Sequence, residues 1–154
     1  MTLTDVGWRP VVTVRAAATV AEAARSMCAH TVGALVITDD SDETALGIIT
    51  DRDLVWMISE GLDPRIATVS EFLQGHLETA RVTDTLAEIT NKMRAAGVRR
   101  LPVLDQESHL VGLVSLDDVL GLLGREIADL AGAIDSELGR ERVIAGRATS
   151  AASH

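Results

Sequence analysis

Slid along itself by 66 positions, the chain meets its own second half: TVAEAARSMCAHTVGALVITD, from Thr19, lies over TLAEITNKMRAAGVRRLPVLD, from Thr85. Arg15 falls on Arg81, Glu22 on Glu88, Met27 on Met93 and Leu35 on Leu101. Farther on the offset drops to 65, and GIITDRD (47–53) lies over GLVSLDD (112–118), because the polar loop before the first copy is one residue longer. Loops absorb such insertions and the elements around them do not. A tandem repeat restricts the fold more than any other feature here, since both copies must build the same unit. At 154 residues and 47% apolar, the chain is the size of one domain or two closely packed half-domains with a substantial core.

Each copy carries the same local grammar. An extended run, Val11 to Val14 or the more polar stretch from His76 to Val82, precedes a T-x-x-E capping box, Thr19 with Glu22 or Thr85 with Glu88. In such a box the hydroxyl accepts from an early helical N–H and the glutamate accepts from the cap's own N–H, so helices start here and reach about His30 and Ala96. The short apolar runs 34–38 with 46–49, and 101–104 with 110–114, predict two β-hairpins. Thr50 or Ser115 then serves as N-cap of a helix that opens with acidic residues, favoured by the helix dipole. The unit is β-α-β-β-α. Gly61 and Pro64 end the first copy, and Thr68 or Ser70 begins a short helix in the linker. Past Gly124, residues Ile127, Leu130, Ala131, Ile134 and Leu138 recur at helical spacing and predict an amphipathic helix. The expected organisation is repeat 1 over 1–62, linker 63–76, repeat 2 over 77–124, C-terminal helix 125–146 and a flexible tail 147–154.

The repeated heptapeptide is a strand that turns straight into a helix. Its glycine allows a ligand or backbone to come close, and its hydroxyl sits beside unpaired helix N–H groups, a corner that attracts anions. Three residues on, Asp53 or Asp118 shares a side with the hydroxyl, where its carboxylate can accept two hydrogen bonds from a vicinal diol such as ribose. The same residues are also what an ordinary helix cap looks like, and a duplication would copy a plain cap.

The β-α-β-β-α unit written twice, GxxTxxD and GxxSxxD after the hairpins, and VRRLPVLD entering the second hairpin resemble a CBS-domain pair, or Bateman module, over about Thr4 to Leu123. The resemblance implies an α/β (α+β) fold in which the repeats pack by pseudo-twofold symmetry, with the C-terminal amphipathic helix added. It also implies two clefts for AMP, ADP, ATP or S-adenosylmethionine, with no cofactor required. Asp53 would hold ribose and Thr50 would face ribose or phosphate, with Thr79, Arg99 and Arg100 on the opposite wall and Arg52 as a further contact. Ser115 and Asp118 would act likewise opposite Val12 and Ala34. Arg99 and Arg100 have Gly33 and Ala34 as repeat partners, so the Asp53 cleft is expected to favour phosphorylated ligands. VGWRP replaces the short apolar helix usual at the start, and Trp8 is expected to be core. The chain is similar to small bacterial stand-alone CBS proteins linked to stress responses, and such modules imply a homodimer and a downstream protein that reads the ligand state.

Other classes fit less well. A net charge of −9 and 2% aromatic residues argue against nucleic acid, whose phosphates need a basic footprint, and against an anionic membrane surface. No apolar run approaches the length of a membrane helix and no leader stands at the N-terminus. Cys28, the single cysteine, fits a reducing cytoplasm and is expected to be buried and inert. An enzyme would need a base, nucleophile or metal held in a site. Yet His30, His76, His109 and His154 are scattered without metal-ligand spacing, and Lys92, the only lysine, is expected on a helix surface. A ligand-free interaction module acting through dimerisation and the C-terminal helix remains the alternative.

Overall fold

A computed structural model describes residues 1–41, 44–73 and 75–151, with residues 139 and 141–151 described by backbone alone. These residues divide into two compact units at Asp118/Val119, and the first holds both copies of the repeat up to the start of the last helix. No described helix is long and apolar enough to cross a membrane.

The two copies build matching sheets. In the first, β1 (Thr13–Arg15) runs parallel to β2 (Ala34–Thr38), which pairs antiparallel with β3 (Ala45–Thr50). In the second, β4 (Ala80–Arg81), β5 (Arg100–Leu104) and β6 (Leu110–Ser115) repeat that order. Even the irregularity recurs, at Ile37/Thr38 and at Val103/Leu104. The helices α2 (Val20–His30) and α4 (Leu86–Ala96) begin at the expected capping boxes: the Thr19 N–H donates to Glu22 Oε2 at 2.7 Å and the Thr85 N–H to Glu88 Oε2 at 2.8 Å. Each buries one stripe, Val20, Ala23 and Met27 or Ile89 and Met93, at the spacing that puts side chains on one face of a helix. Cys28 falls off that stripe and is exposed, correcting the expectation of a buried thiol.

The copies also exchange their leading segments. The N-terminal helix α1 (Leu3–Val6) lies on the second repeat, where the Leu3 N–H donates to the Asp84 carbonyl at 2.9 Å and the Leu86 N–H to the Met1 carbonyl at 3.1 Å. The linker's 3-10 turn Val69–Phe72 lies on the first repeat in the same way, the Val69 N–H donating to Ala18 and the Val20 N–H to Ala67, both at 2.9 Å. Leu3 and Val69 are fully buried and belong to the core of the repeat they visit, which at about 1.5–3 kcal/mol per buried side chain fastens the two halves together. The usual short helix is therefore present, ending on the first residue of VGWRP rather than replaced by that segment. Trp8 packs against the second core, as expected.

After β3, α3 (Asp51–Ser59) is a separate helix, whereas the helix after β6, α5 (Leu116–Ala151), continues without a break at Gly124. The two helices expected there are one. Its backbone stays helical through 147–151, where a flexible tail was expected, and 152–154 lie outside the described residues.

Candidate functional site

β3 and β6 each deliver a hydroxyl residue to a helix start. The Thr50 backbone is extended (φ −114°, ψ 164°), and its N–H and hydroxyl both donate to Asp53 Oδ2 at 2.7 Å. Ser115 does the same, its N–H reaching Asp118 Oδ2 at 2.9 Å with the hydroxyl beside it. The Asp118 N–H donates back to Ser115 Oγ at 3.2 Å. Both motifs are thus helix caps, and capping occupies one carboxylate oxygen, Oδ2, while the other, Oδ1, takes no part in the cap.

The second oxygen separates the copies. Asp118 Oδ1 accepts from Arg9, with Nε at 3.2 Å and Nη2 at 3.1 Å. Among the described residues Asp53 Oδ1 has no such partner. The Asp118 side chain is 14% exposed and that of Arg9 79%, so the pair joins a sheltered carboxylate to a solvated guanidinium. Burial alone would raise the Asp118 carboxyl, but the Ser115 hydroxyl and amide and the Arg9 charge outweigh it and hold the group below the ordinary carboxylate range.

The motif glycines serve the chain itself. A Cβ on Gly112 would collide with Trp8 Cδ1 and lie 2.9 Å from the Arg9 carbonyl oxygen, and one on Gly47 would lie 2.7 Å from Leu73 Cδ2. Trp8 and Leu73 each cover the motif glycine of the other repeat, although on the 66-residue offset that holds for this part of the chain Trp8 falls one residue past Leu73. On that 66-residue offset Arg9 corresponds to Gly75, which carries no charge. The segment at Arg9 is pinned to β6 by two backbone bonds, the Arg9 N–H to the Leu113 carbonyl at 3.1 Å and the Leu113 N–H to the Arg9 carbonyl at 3.2 Å.

Beside this segment an open hollow brings together Val12 and Ala34 from the first repeat and Ser115 and Asp118 from the second, with Arg9 and Arg100 on its lining. A second hollow lies along β3 at Gly47 and Ile48, bounded by Leu73, His76, Val98 and again Arg100. Thr50, Arg52, Asp53, Thr79 and Arg99 line neither. Arg99 turns to Asp117, Nη2 to Oδ1 at 3.2 Å, which sets it next to Asp118 rather than with Asp53. The Thr79 carbonyl accepts from Lys92 Nζ at 3.0 Å, and the same ammonium holds Asp84 at 2.7 Å. Arg52 is exposed on the first turn of α3. Arg9 is the site residue that sequence reasoning missed; its signal was a lone cation in the one segment, VGWRP, that departed from pattern.

Comparison with known proteins follows this architecture. The CBS domain profile matches residues 3–60 and 69–125. Hypoxic response protein 1 of Mycobacterium tuberculosis is 37% identical over 102 residues, covering 66% of this chain and 70% of that protein. An uncharacterized protein of Methanopyrus kandleri is 33% identical over 117 residues, covering 75% of this chain but 59% of that protein, less than two thirds of its length. Among solved structures, Hypoxic Response Protein I with two coordinated zinc ions superposes with a TM-score of 0.68 at 34% identity, covering 78% of this chain and 97% of that one. A Pyrobaculum aerophilum CBS domain protein complexed with AMP gives 0.69 at 24% identity, covering 77% and 89%. A CBS domain pair in complex with 5′-methylthioadenosine and S-adenosyl-L-methionine gives 0.71 at 24%, covering 82% and 98%.

Proposed function

We propose a function from the premise that this chain belongs to the CBS-domain family: it is a regulatory module, not an enzyme, and the hollow beside Asp118 receives an adenosyl ligand. The observation that carries this reading is the meeting of two repeats in one hollow, Val12 and Ala34 facing Ser115 and Asp118. A capped helix start supplies a hydroxyl and a carboxylate for a sugar diol, and Val12, Val32 and Ala34 supply an apolar wall for a base. Structures of the same fold hold AMP, 5′-methylthioadenosine and S-adenosylmethionine, which supports AMP, ADP, ATP and S-adenosylmethionine as the compounds to test. Thr50 and Asp53, with Arg52 and Thr79, form the related half-site of the first copy. A ligand that touches both repeats favours the arrangement in which both walls face it, and that difference is what a downstream protein reads.

Calorimetric titration and thermal melting with those four compounds test the reading. Binding heat and a raised Tm with at least one of them are expected. Neither heat nor a melting shift with any of them contradicts it.

A second reading is favoured by one observation. Along α5, Leu120, Ile127, Leu130 and Ile134 are exposed and Leu123 is half-buried, a 3-4-3-4 spacing that matches the seam of a paired helix over two heptads. A second copy of the same helix fits that seam, giving a homodimer. Sedimentation should find a dimer that Ile134→Glu converts to monomer; a wild-type monomer contradicts it.

A further inference from the structure

We propose that Arg9 sets the selectivity of the Asp118 hollow: it stands in for a ligand on the carboxylate and yields that place to a nucleoside that brings its own anionic group. The proposal rests on the adenosyl reading of the hollow. Asp118 Oδ2 is committed to Ser115, so Oδ1 is the oxygen open to an incoming diol, and the Arg9 guanidinium spans it with Nε and Nη2. A diol can use that oxygen fully only if Arg9 leaves.

The anchoring of Arg9 decides where it goes. Its backbone is fixed by the paired bonds to Leu113, and the preceding Trp8 is seated over Gly112, while the side chain beyond is 79% exposed and has room to swing. A displaced guanidinium therefore stays at the mouth of the hollow, on the same lining as Arg100. If the ligand carries a phosphate, the guanidinium exchanges one anion for another and gains a bidentate partner. If the ligand is a bare nucleoside, the ion pair is broken with nothing in return. Exposed pairs are weak, so that loss is about two- to five-fold in affinity; a charge-assisted bond to phosphate is worth about ten-fold or more. The sequence of the first copy offers no such cation, because the repeat partner of Arg9 is Gly75.

The two effects have opposite signs, which makes one substitution decisive. Calorimetry on the full chain compares wild type with Arg9→Ala, each titrated with adenosine and with AMP. The substitution should tighten adenosine about two- to five-fold and weaken AMP about ten-fold. Arg9→Lys, which keeps the charge without the fork, should retain part of the AMP preference. Affinities that move in the same direction, or do not move, overturn the proposal while leaving the adenosyl reading intact. If wild type binds neither compound, the adenosyl reading fails and the proposal with it. The ion pair has its own readout in carbon-detected NMR of the Asp118 carboxyl, which should titrate at higher pH in Arg9→Ala. An unchanged titration contradicts the contact on which the argument stands.

Discussion

GIITDRD and GLVSLDD fold alike and end differently. Both put a hydroxyl residue at the last position of a hairpin and an aspartate at the third position of a helix, and both commit one carboxylate oxygen to the cap. The copies diverge through what lies over their glycines. Trp8 covers Gly112 and carries Arg9 to Asp118, whereas Leu73 covers Gly47 and is followed by a neutral residue. The difference teaches that a repeated motif fixes the shape of a half-site, while the segment packed over it fixes the charge.

Substituting the glycines should give the largest contrast. In Gly112→Ala the new methyl meets an indole ring and a backbone oxygen at once, and neither can retreat without unseating the bridge to Leu113. A loss of about 1–3 kcal/mol is expected from overpacking. In Gly47→Ala the methyl makes an ordinary contact with Ile37 Cδ1 and is crowded by the end of the Leu73 side chain alone, which can turn aside, so the cost should stay below about 1 kcal/mol. Denaturant unfolding checks both, and equal losses would mean that the two segments pack with equal rigidity.

Next in size are the aspartates. Asp118→Ala and Asp53→Ala should each weaken one adenosyl binding event by about ten-fold or more, the range for hydrogen bonds to a charged group. If the copies differ as described, Asp118→Ala should abolish the effect of Arg9→Ala, while Asp53→Ala should leave it untouched. Titration of the double variants reads this coupling directly.

The smallest effect is on acid stability. Hydrogen bonds from the Thr19 amide hold the Glu22 carboxyl below its ordinary range, those from the Thr85 hydroxyl do the same for Glu88, and Asp118 is held low as well. A carboxyl depressed in the folded state leaves the unfolded chain binding more protons, so stability is full above the ordinary carboxylate range and falls as pH drops through the folded values. The melting temperature should be flat from about pH 7 to pH 5 and decline below about pH 4. Glu22 and Glu88 contribute alike in both repeats; Arg9→Ala should remove only part of the share that belongs to Asp118.

Local structure was legible in the sequence because its causes are local. Capping boxes at Thr19 and Thr85 and the 3.6-residue spacing of Val20, Ala23 and Met27 state where a helix begins and which face it buries. The polar counterpart of the first extended run became a strand of only two residues, Ala80–Arg81. What the sequence did not disclose is long-range. Arg9 and Asp118 lie 109 positions apart, and nothing in the spacing of either one names the other. The crossing of Leu3 and Val69 onto the opposite repeats has the same origin. Counting repeat partners assigned Arg99 to the Asp53 side, but its side chain follows the nearest carboxylate, Asp117. The glycines were read as room for a ligand, and the room is filled by Trp8 and Leu73.

The most direct test of the central claim is a map of backbone amide shifts on titrating AMP into the isotopically labelled chain. Shifts concentrated at Val12, Ala34, Ser115 and Asp118, with Arg9 moving among them, are the result the account predicts. A saturable response that spares these residues, or none at all, would contradict it.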